Sequence, residues 1–206
     1  MLYFFLRLLA ILLFKFFFRF EVTGREYLPK KGGFLLVSNH ASYLDPVALG
    51  IASSRPLYFF ARWDLFKNPF FGELLRALHA FPVRIGKMDK RAIQESLEKL
   101  KEGRILVLFP EGTRAKDGSL RDGHVGAGFL AVRSGVPVVP AYLRGTFEAF
   151  PRGAKWIRFR KIFVHFGKPI TFSGGIPPLL EGHHVFYQKV SDTLMGAIQE
   201  LRDLTE

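Results

Sequence analysis

The run Phe34-Leu35-Leu36-Val37 constrains the fold more than any other stretch of this chain. It is short, apolar at every position and preceded by Gly32-Gly33, so it reads as a strand covered on both faces. A strand of that kind belongs inside a parallel sheet with helices above and below it. The rest of the chain repeats the pattern. Strands are predicted over 34–38, 57–61, 81–85, 105–109 and 136–143, with helices over 46–52, 70–78, 89–101 and 124–133 between them. The alternation predicts an α/β fold, a largely parallel sheet flanked by helices. The stretch 156–166 is rich in β-formers and is expected to add a strand. Phe186, Val190, Leu194, Ile198 and Leu201, spaced by three or four, predict a closing helix over 185–204.

The first strand runs into Asn39-His40, and Asp45-Pro46 follows. Asp45 is expected as the N-cap of a helix, with Pro46 at its first position. His40 then lies in the turn leaving the carboxyl end of a strand, where open α/β sheets bind ligands. Imidazole is the side chain best suited to take a proton near neutral pH, and a nearby carboxylate can fix its tautomer. A polar turn residue beside a helix cap accounts for the same two residues, so the other strand ends have to decide. Phe109-Pro110-Glu111-Gly112-Thr113-Arg114 leaves the strand over 105–109. Such a turn offers N–H groups, a guanidinium and a carboxylate to a phosphate or a developing oxyanion; a surface turn with an ion pair is the plainer alternative. Arg84 closes a third strand and suits bidentate phosphate binding, as it also suits an ordinary surface. The coincidence at one sheet edge of a base with its carboxylate, a donor-rich turn and a second arginine points to a site.

Charge and aromatic content narrow the partner. Thirty Lys and Arg against 18 Asp and Glu give a net charge of +12. That favours nucleic acid, anionic lipid, a phosphorylated substrate or an acidic protein. The 23 phenylalanines favour a lipid interface. Residues 1–20 are apolar or aromatic except Arg7, Lys15 and Arg19, which fall within about 120° of a helical wheel. This predicts an N-terminal amphipathic membrane-associating helix with a basic stripe, lying in or obliquely entering the interface. A single transmembrane anchor and a helix packed on the body are the alternatives. The expected division is a membrane-interface helix at 1–22 and an α/β domain at 23–206. The basic aromatic stretch 144–161 suits single-stranded nucleic acid, an acidic carrier or anionic lipid, and beside a membrane helix lipid is the simplest. The chain has no cysteine, which excludes disulfides, zinc thiolate sites and a cysteine nucleophile. It has no Gly-x-Ser-x-Gly elbow either.

Asn39-His40-x4-Asp45, Phe81-x2-Arg84, Phe109-Pro110-Glu111-Gly112-Thr113-Arg114 and Val136-Pro137-Val138-Val139-Pro140 resemble, in order and spacing, the four blocks of the glycerolipid acyltransferases. The 1-acylglycerol-3-phosphate (lysophosphatidate) acyltransferases are the closest match. The resemblance implies transfer of a fatty acyl group from an acyl-ACP or acyl-CoA thioester to the sn-2 hydroxyl of lysophosphatidate, giving phosphatidate. It implies no metal, and no cofactor beyond the thioester co-substrate. His40 would be the general base and Asp45 its orienting partner, the hydroxyl oxygen attacking the thioester directly. Glu111 and the Gly112-Thr113 backbone would position acceptor and oxyanion. Arg84 and Arg114 would hold the glycerol phosphate, and Pro137 and Pro140 would shape the acyl-donor side.

One position departs from the pattern. Many relatives carry Lys or Arg just before the Gly-Ala start of the next helix, and here His124 stands in that place. It would bind phosphate more weakly and with pH dependence, which keeps another lysolipid or an acylated amino-acid lipid open as acceptor. The expected partners are an anionic membrane surface on the cytoplasmic face, lysophosphatidate, and acyl-carrier protein or a coenzyme A thioester; no nucleic acid is expected. A non-catalytic basic module binding lipid or nucleic acid is the reading from another class.

Overall fold

The computed structural model describes residues 2–84, 89–172 and 183–205. In chain order the elements are α1 (Leu2–Phe17), β1 (Glu21–Thr23), β2 (Phe34–Ser38), α2 (Asp45–Ala52), β3 (Leu57–Arg62), α3 (Pro69–Ala77), β4 (Ala80–Val83) and α4 (Lys90–Lys101). Then follow β5 (Ile105–Leu108), α5 (Val125–Ser134), β6 (Val138–Arg144), α6 (Thr146–Ala149), β7 (Phe163–Phe166) and α7 (His183–Asp203). The strands form one sheet in the order β1-β7-β6-β2-β5-β3-β4. From β6 to β4 every pairing is parallel. β7 turns antiparallel against β6, and β1 pairs with β7 at the edge.

β2 lies between β6 and β5 and is buried throughout. Successive side chains of a strand point to opposite faces, and β2 divides its apolar residues accordingly. Phe34 and Leu36 join a core with α1 and α2, while Leu35 and Val37 join one with α4, α5 and α7. That is the physical content of a continuously apolar strand. α5 and α7 approach closely because Gly128 faces α7: a Cβ there would sit 1.9 Å from the Tyr187 carbonyl oxygen.

Several boundaries differ from expectation. The strand expected over 81–85 is β4, and Ile85 lies outside the described residues. Of 156–166 only Phe163–Phe166 is strand; before it Trp156, Ile157 and Phe159 all face outward, because aromatic residues alternating with cations have no covered side to turn inward. Asp45 is the first residue of α2, and the N-cap is Leu44. The carboxylate that would have capped the helix is taken by the preceding loop, as described below.

α1 forms as a helix and packs one side on the body. Phe14 and Phe18 are buried on the body, with Ala10 and Ile11 beside them. Arg7 turns inward and donates to the carbonyl oxygens of Gly50 and Ser53. Arg19 lies beyond the helix with φ 45°, so the predicted basic stripe does not form. Beside the exposed Lys15, α1 leaves outside a set of large apolar side chains, among them Phe4, Phe5, Leu8, Leu12 and Phe16. Its 16 residues give about 24 Å of helix, and among the described residues no helix is long and apolar enough to cross a membrane.

Candidate active site

The site begins where β2 stops. Asn39 is buried, and its side chain continues the pairing with β6: Nδ2 donates to Leu143 O at 3.0 Å and Oδ1 accepts from Leu143 N at 2.8 Å. This staple fixes the direction in which His40 leaves the sheet.

His40 Nδ1 lies 2.8 Å from Asp45 Oδ2, and the ring stacks on Phe109 at 3.9 Å and 14°. Asp45 is fully buried. Its Oδ2 also accepts from the Ala41 and Ser42 N–H groups, each at 2.7 Å, while Oδ1 meets no donor among the described residues. Asp45 opens α2, so the positive end of the helix dipole complements its charge. Two backbone donors therefore hold the carboxylate, and the carboxylate holds the ring with its proton on Nδ1. Nε2 is left to exchange a proton, and the side chain keeps 17% of its surface exposed.

Glu111 enters from β5, the strand next to β2. Its Oε1 accepts from the His40 backbone N–H at 3.0 Å, and its Oε2 lies 3.3 Å from Arg121 Nε. Burial raises the Glu111 pKa above the ordinary carboxylate value; the His40 N–H and the Arg121 guanidinium oppose that shift. Arg121 also donates to Thr113 O and, at 3.1 Å, to Thr113 Oγ1. The His40 carbonyl accepts from Ala115 N at 2.7 Å. The turn after β5 thus grips His40 by both its N–H and its carbonyl.

Gly112 has φ 67°, and a Cβ there would lie 2.7 Å from His124 Cδ2, so the His124 ring rests directly on this turn. The Gly112 N–H is engaged within the turn by Phe109 O at 3.0 Å, which leaves Thr113 as the neighbouring backbone donor. The Arg114 guanidinium sits 3.7 Å over the Tyr43 ring, beside the His40 loop. Arg84 stands apart from this cluster. It lies at the carboxyl end of β4, three strand spacings from β2, or about 14 Å. It borders an open cleft of about 480 Å³ with Trp63, Lys67 and Arg91.

The structure therefore brings His40, Asp45, Glu111, Gly112, Thr113, Arg114 and His124 together, with Arg84 on the same edge. Sequence reasoning missed Arg121 and the Tyr43 platform. Arg121 lies in an irregular loop ten positions from its partner, and no local spacing marks it. Tyr43 could have been found as an aromatic within the His40 loop.

The model of the family described as acyltransferase matches residues 19–144, and the chain belongs to that family. The 1-acyl-sn-glycerol-3-phosphate acyltransferase of Bacillus subtilis (strain 168) is 33% identical over 138 residues, covering 65% of this chain and 68% of the relative. The chloroplastic 1-acyl-sn-glycerol-3-phosphate acyltransferase BAT2 of Brassica napus is 33% identical over 162 residues, 75% of this chain. The chain spans 46% of that relative's length. The crystal structure of the 1-acyl-sn-glycerophosphate (LPA) acyltransferase PlsC from Thermotoga maritima superposes with a TM-score of 0.73. That match has 27% identity and covers 95% of this chain and 78% of the other.

Proposed function

We propose that this chain transfers a fatty acyl group from an acyl-CoA or acyl-ACP thioester to the sn-2 hydroxyl of lysophosphatidate, releasing phosphatidate and the free thiol. The observation that carries the proposal is the His40–Asp45 pair at 2.8 Å, set against the Glu111 turn. His40 Nε2 takes the hydroxyl proton as the oxygen attacks the thioester carbonyl, and Asp45 stabilises the imidazolium that forms. The carbonyl oxygen becomes an oxyanion, with the Thr113 N–H the nearest candidate donor. Collapse breaks the C–S bond, and the thiolate leaves as thiol with the proton from His40. Arg114, braced on Tyr43, and Arg84 supply charge for the acceptor's phosphate, with His124 at the turn as a further donor. The names borne by the bacterial and chloroplast relatives agree with this acceptor.

The same reading places the protein on an anionic membrane surface at its cytoplasmic face. The Phe and Leu side chains that α1 leaves uncovered would lie in the interface.

The test is thiol release measured together with phosphatidate formation, in mixed micelles of lysophosphatidate with acyl-CoA or acyl-ACP, for wild type and His40→Ala. Product from wild type alone supports the reaction and the base. Turnover of lysophosphatidylethanolamine in preference to lysophosphatidate would move the acceptor, and thioester left intact in every mixture would remove the enzyme reading.

A further inference from the structure

The segment over 152–161 is bound at both ends to elements of different purpose. At its start, Phe150 O accepts from Ser42 Oγ at 2.6 Å, and the Phe150 ring lies 5.5 Å from Tyr43. Ser42 and Tyr43 belong to the loop that carries His40. Near its end, the Phe159 ring stacks on Phe17 at 4.8 Å and meets Phe18 edge-on at 5.8 Å, and Ile162 N donates to Phe18 O at 3.0 Å. Phe17 and Phe18 close the N-terminal helix. The segment is thus a strap from the catalytic loop to α1.

Its composition differs from that of an ordinary loop. Between 152 and 161 stand Arg152, Lys155, Arg158, Arg160 and Lys161, with no acidic residue. Lys161 pairs with Glu21 at 2.7 Å; among the described residues no acidic side chain pairs with the other four. Trp156 is 82% exposed and Phe159 64%, and Ile157 is exposed beside them. Among the described residues the strap's interior is tied by Ala154 N to Pro151 O at 3.1 Å, within its first turn, and by Arg158 N to Ala149 O at 2.8 Å.

We propose that the strap is a second membrane-contact element, in which Trp156, Ile157 and Phe159 enter the interface of an anionic bilayer while Arg152, Lys155, Arg158 and Arg160 engage lipid phosphates. The proposal extends the functional reading above and rests on its membrane part. Tryptophan and phenylalanine among cations suit the headgroup layer, where an aromatic body is buried and charges stay wet. An anionic leaflet attracts such a basic cluster over a Debye length. Continuity decides for a bilayer over an acidic carrier protein. Through the Phe17–Phe159 stack the strap joins the uncovered Phe and Leu face of α1, an apolar surface for which a soluble acidic partner offers no complement. The tie to Ser42 and Tyr43 gives the contact its purpose: a seated strap holds the His40 loop at the bilayer surface, where a lysolipid arrives without crossing water.

The chain has two tryptophans, so Trp63→Phe leaves Trp156 as sole reporter. With vesicles of phosphatidylglycerol, its emission is expected to shift to the blue and to be quenched by dibrominated lipid. Emission that stays unshifted while the protein sediments with those vesicles overturns the proposal, as does a shift produced by acyl-carrier protein and not by vesicles. Arg158→Gln with Arg160→Gln should lower partitioning onto phosphatidylglycerol vesicles by roughly tenfold or more and leave the thermal melt in place, since both side chains are exposed. Unchanged partitioning overturns the charge half of the proposal. None of these measurements needs turnover, so a wild type that transfers no acyl group would sink the functional reading and leave the strap to stand on its own result.

Discussion

The Glu111 carboxylate and the His40 backbone N–H meet at 3.0 Å across neighbouring strands, 71 positions apart in the chain. Glu111 therefore acts on the peptide that carries the proposed base, and of the two carboxylates it is Asp45 that bonds the ring. The two carboxylates have separate tasks, and their substitution should have separable consequences.

Removal of the base comes first. His40→Ala should lower acyl transfer by about 10²- to 10⁴-fold with vesicle binding intact, because the ring is held between Phe109 and Asp45 and is not one of the exposed side chains proposed to meet the bilayer. Paired turnover and cosedimentation assays check this; a variant within a few-fold of wild type in rate would remove His40 from the mechanism.

Asp45→Asn presents an amide where three donors converge on one carboxylate oxygen. The amide can accept through its oxygen only, and its NH2 would occupy the place of Oδ1, which is buried without a hydrogen-bond partner among the described residues. A loss of about 1–3 kcal/mol in urea unfolding is expected. A fall in kcat larger than any change in KM should accompany it, because the ring loses its orientation.

Glu111 gives a pH signature in stability. Its pKa is raised by burial from a reference of 4.5, so the folded state binds the proton more tightly than the unfolded chain does. Between the reference and the raised value the native state holds more protons, and stability falls as pH rises through that window. Urea titrations should show this slope in wild type and not in Glu111→Gln. Arg121→Ala removes the guanidinium that opposes the shift, so the slope should extend to higher pH. An identical profile in all three proteins would contradict the assignment.

Glycines 126 and 128 sit on the same helix with opposite surroundings. A Cβ at Gly128 meets the Tyr187 carbonyl at 1.9 Å, and one at Gly126 meets nothing within 4 Å. Gly128→Ala should cost about 1–3 kcal/mol or more by forcing α5 from α7. Gly126→Ala should gain about 0.5–1 kcal/mol from helix propensity. Chemical denaturation of the two single variants decides.

The two sides of α1 should also separate. Phe14→Ala opens the core and should cost about 3–5 kcal/mol. Leu8→Ser with Phe16→Ser changes only exposed positions and should leave the melt unchanged while weakening vesicle binding. Equal loss of stability in both would show the outer face to be covered by protein.

Legibility in the sequence followed the range of the interaction. β2 matched its predicted limits, since its burial is written in consecutive residues. His40 and Asp45 were legible as a pair because one short loop joins them. The grip of Glu111 on His40 was not, since it requires β5 to lie beside β2, which no local pattern states. Arg121 escaped for the same reason, being held by tertiary contacts of an irregular loop. The strand expected over 156–166 began too early because β-propensity reports a fit to a half-covered sheet surface, and Trp156 and Ile157 are exposed while Phe159 meets only the end of α1. The basic stripe failed because a helical wheel assumes a helix through Arg19, where this backbone has already turned.

The order of strands has a consequence for synthesis. β2 is flanked by β5 and β6, which begin 71 and 104 positions after it. A ribosome adding about 5–20 residues per second keeps an apolar strand without neighbours for several seconds. During that interval the α1 segment, whose Phe14 shares a core with Phe34 and Leu36 in the finished fold, has already been made, and it is the apolar surface of this chain that can shelter the waiting strand.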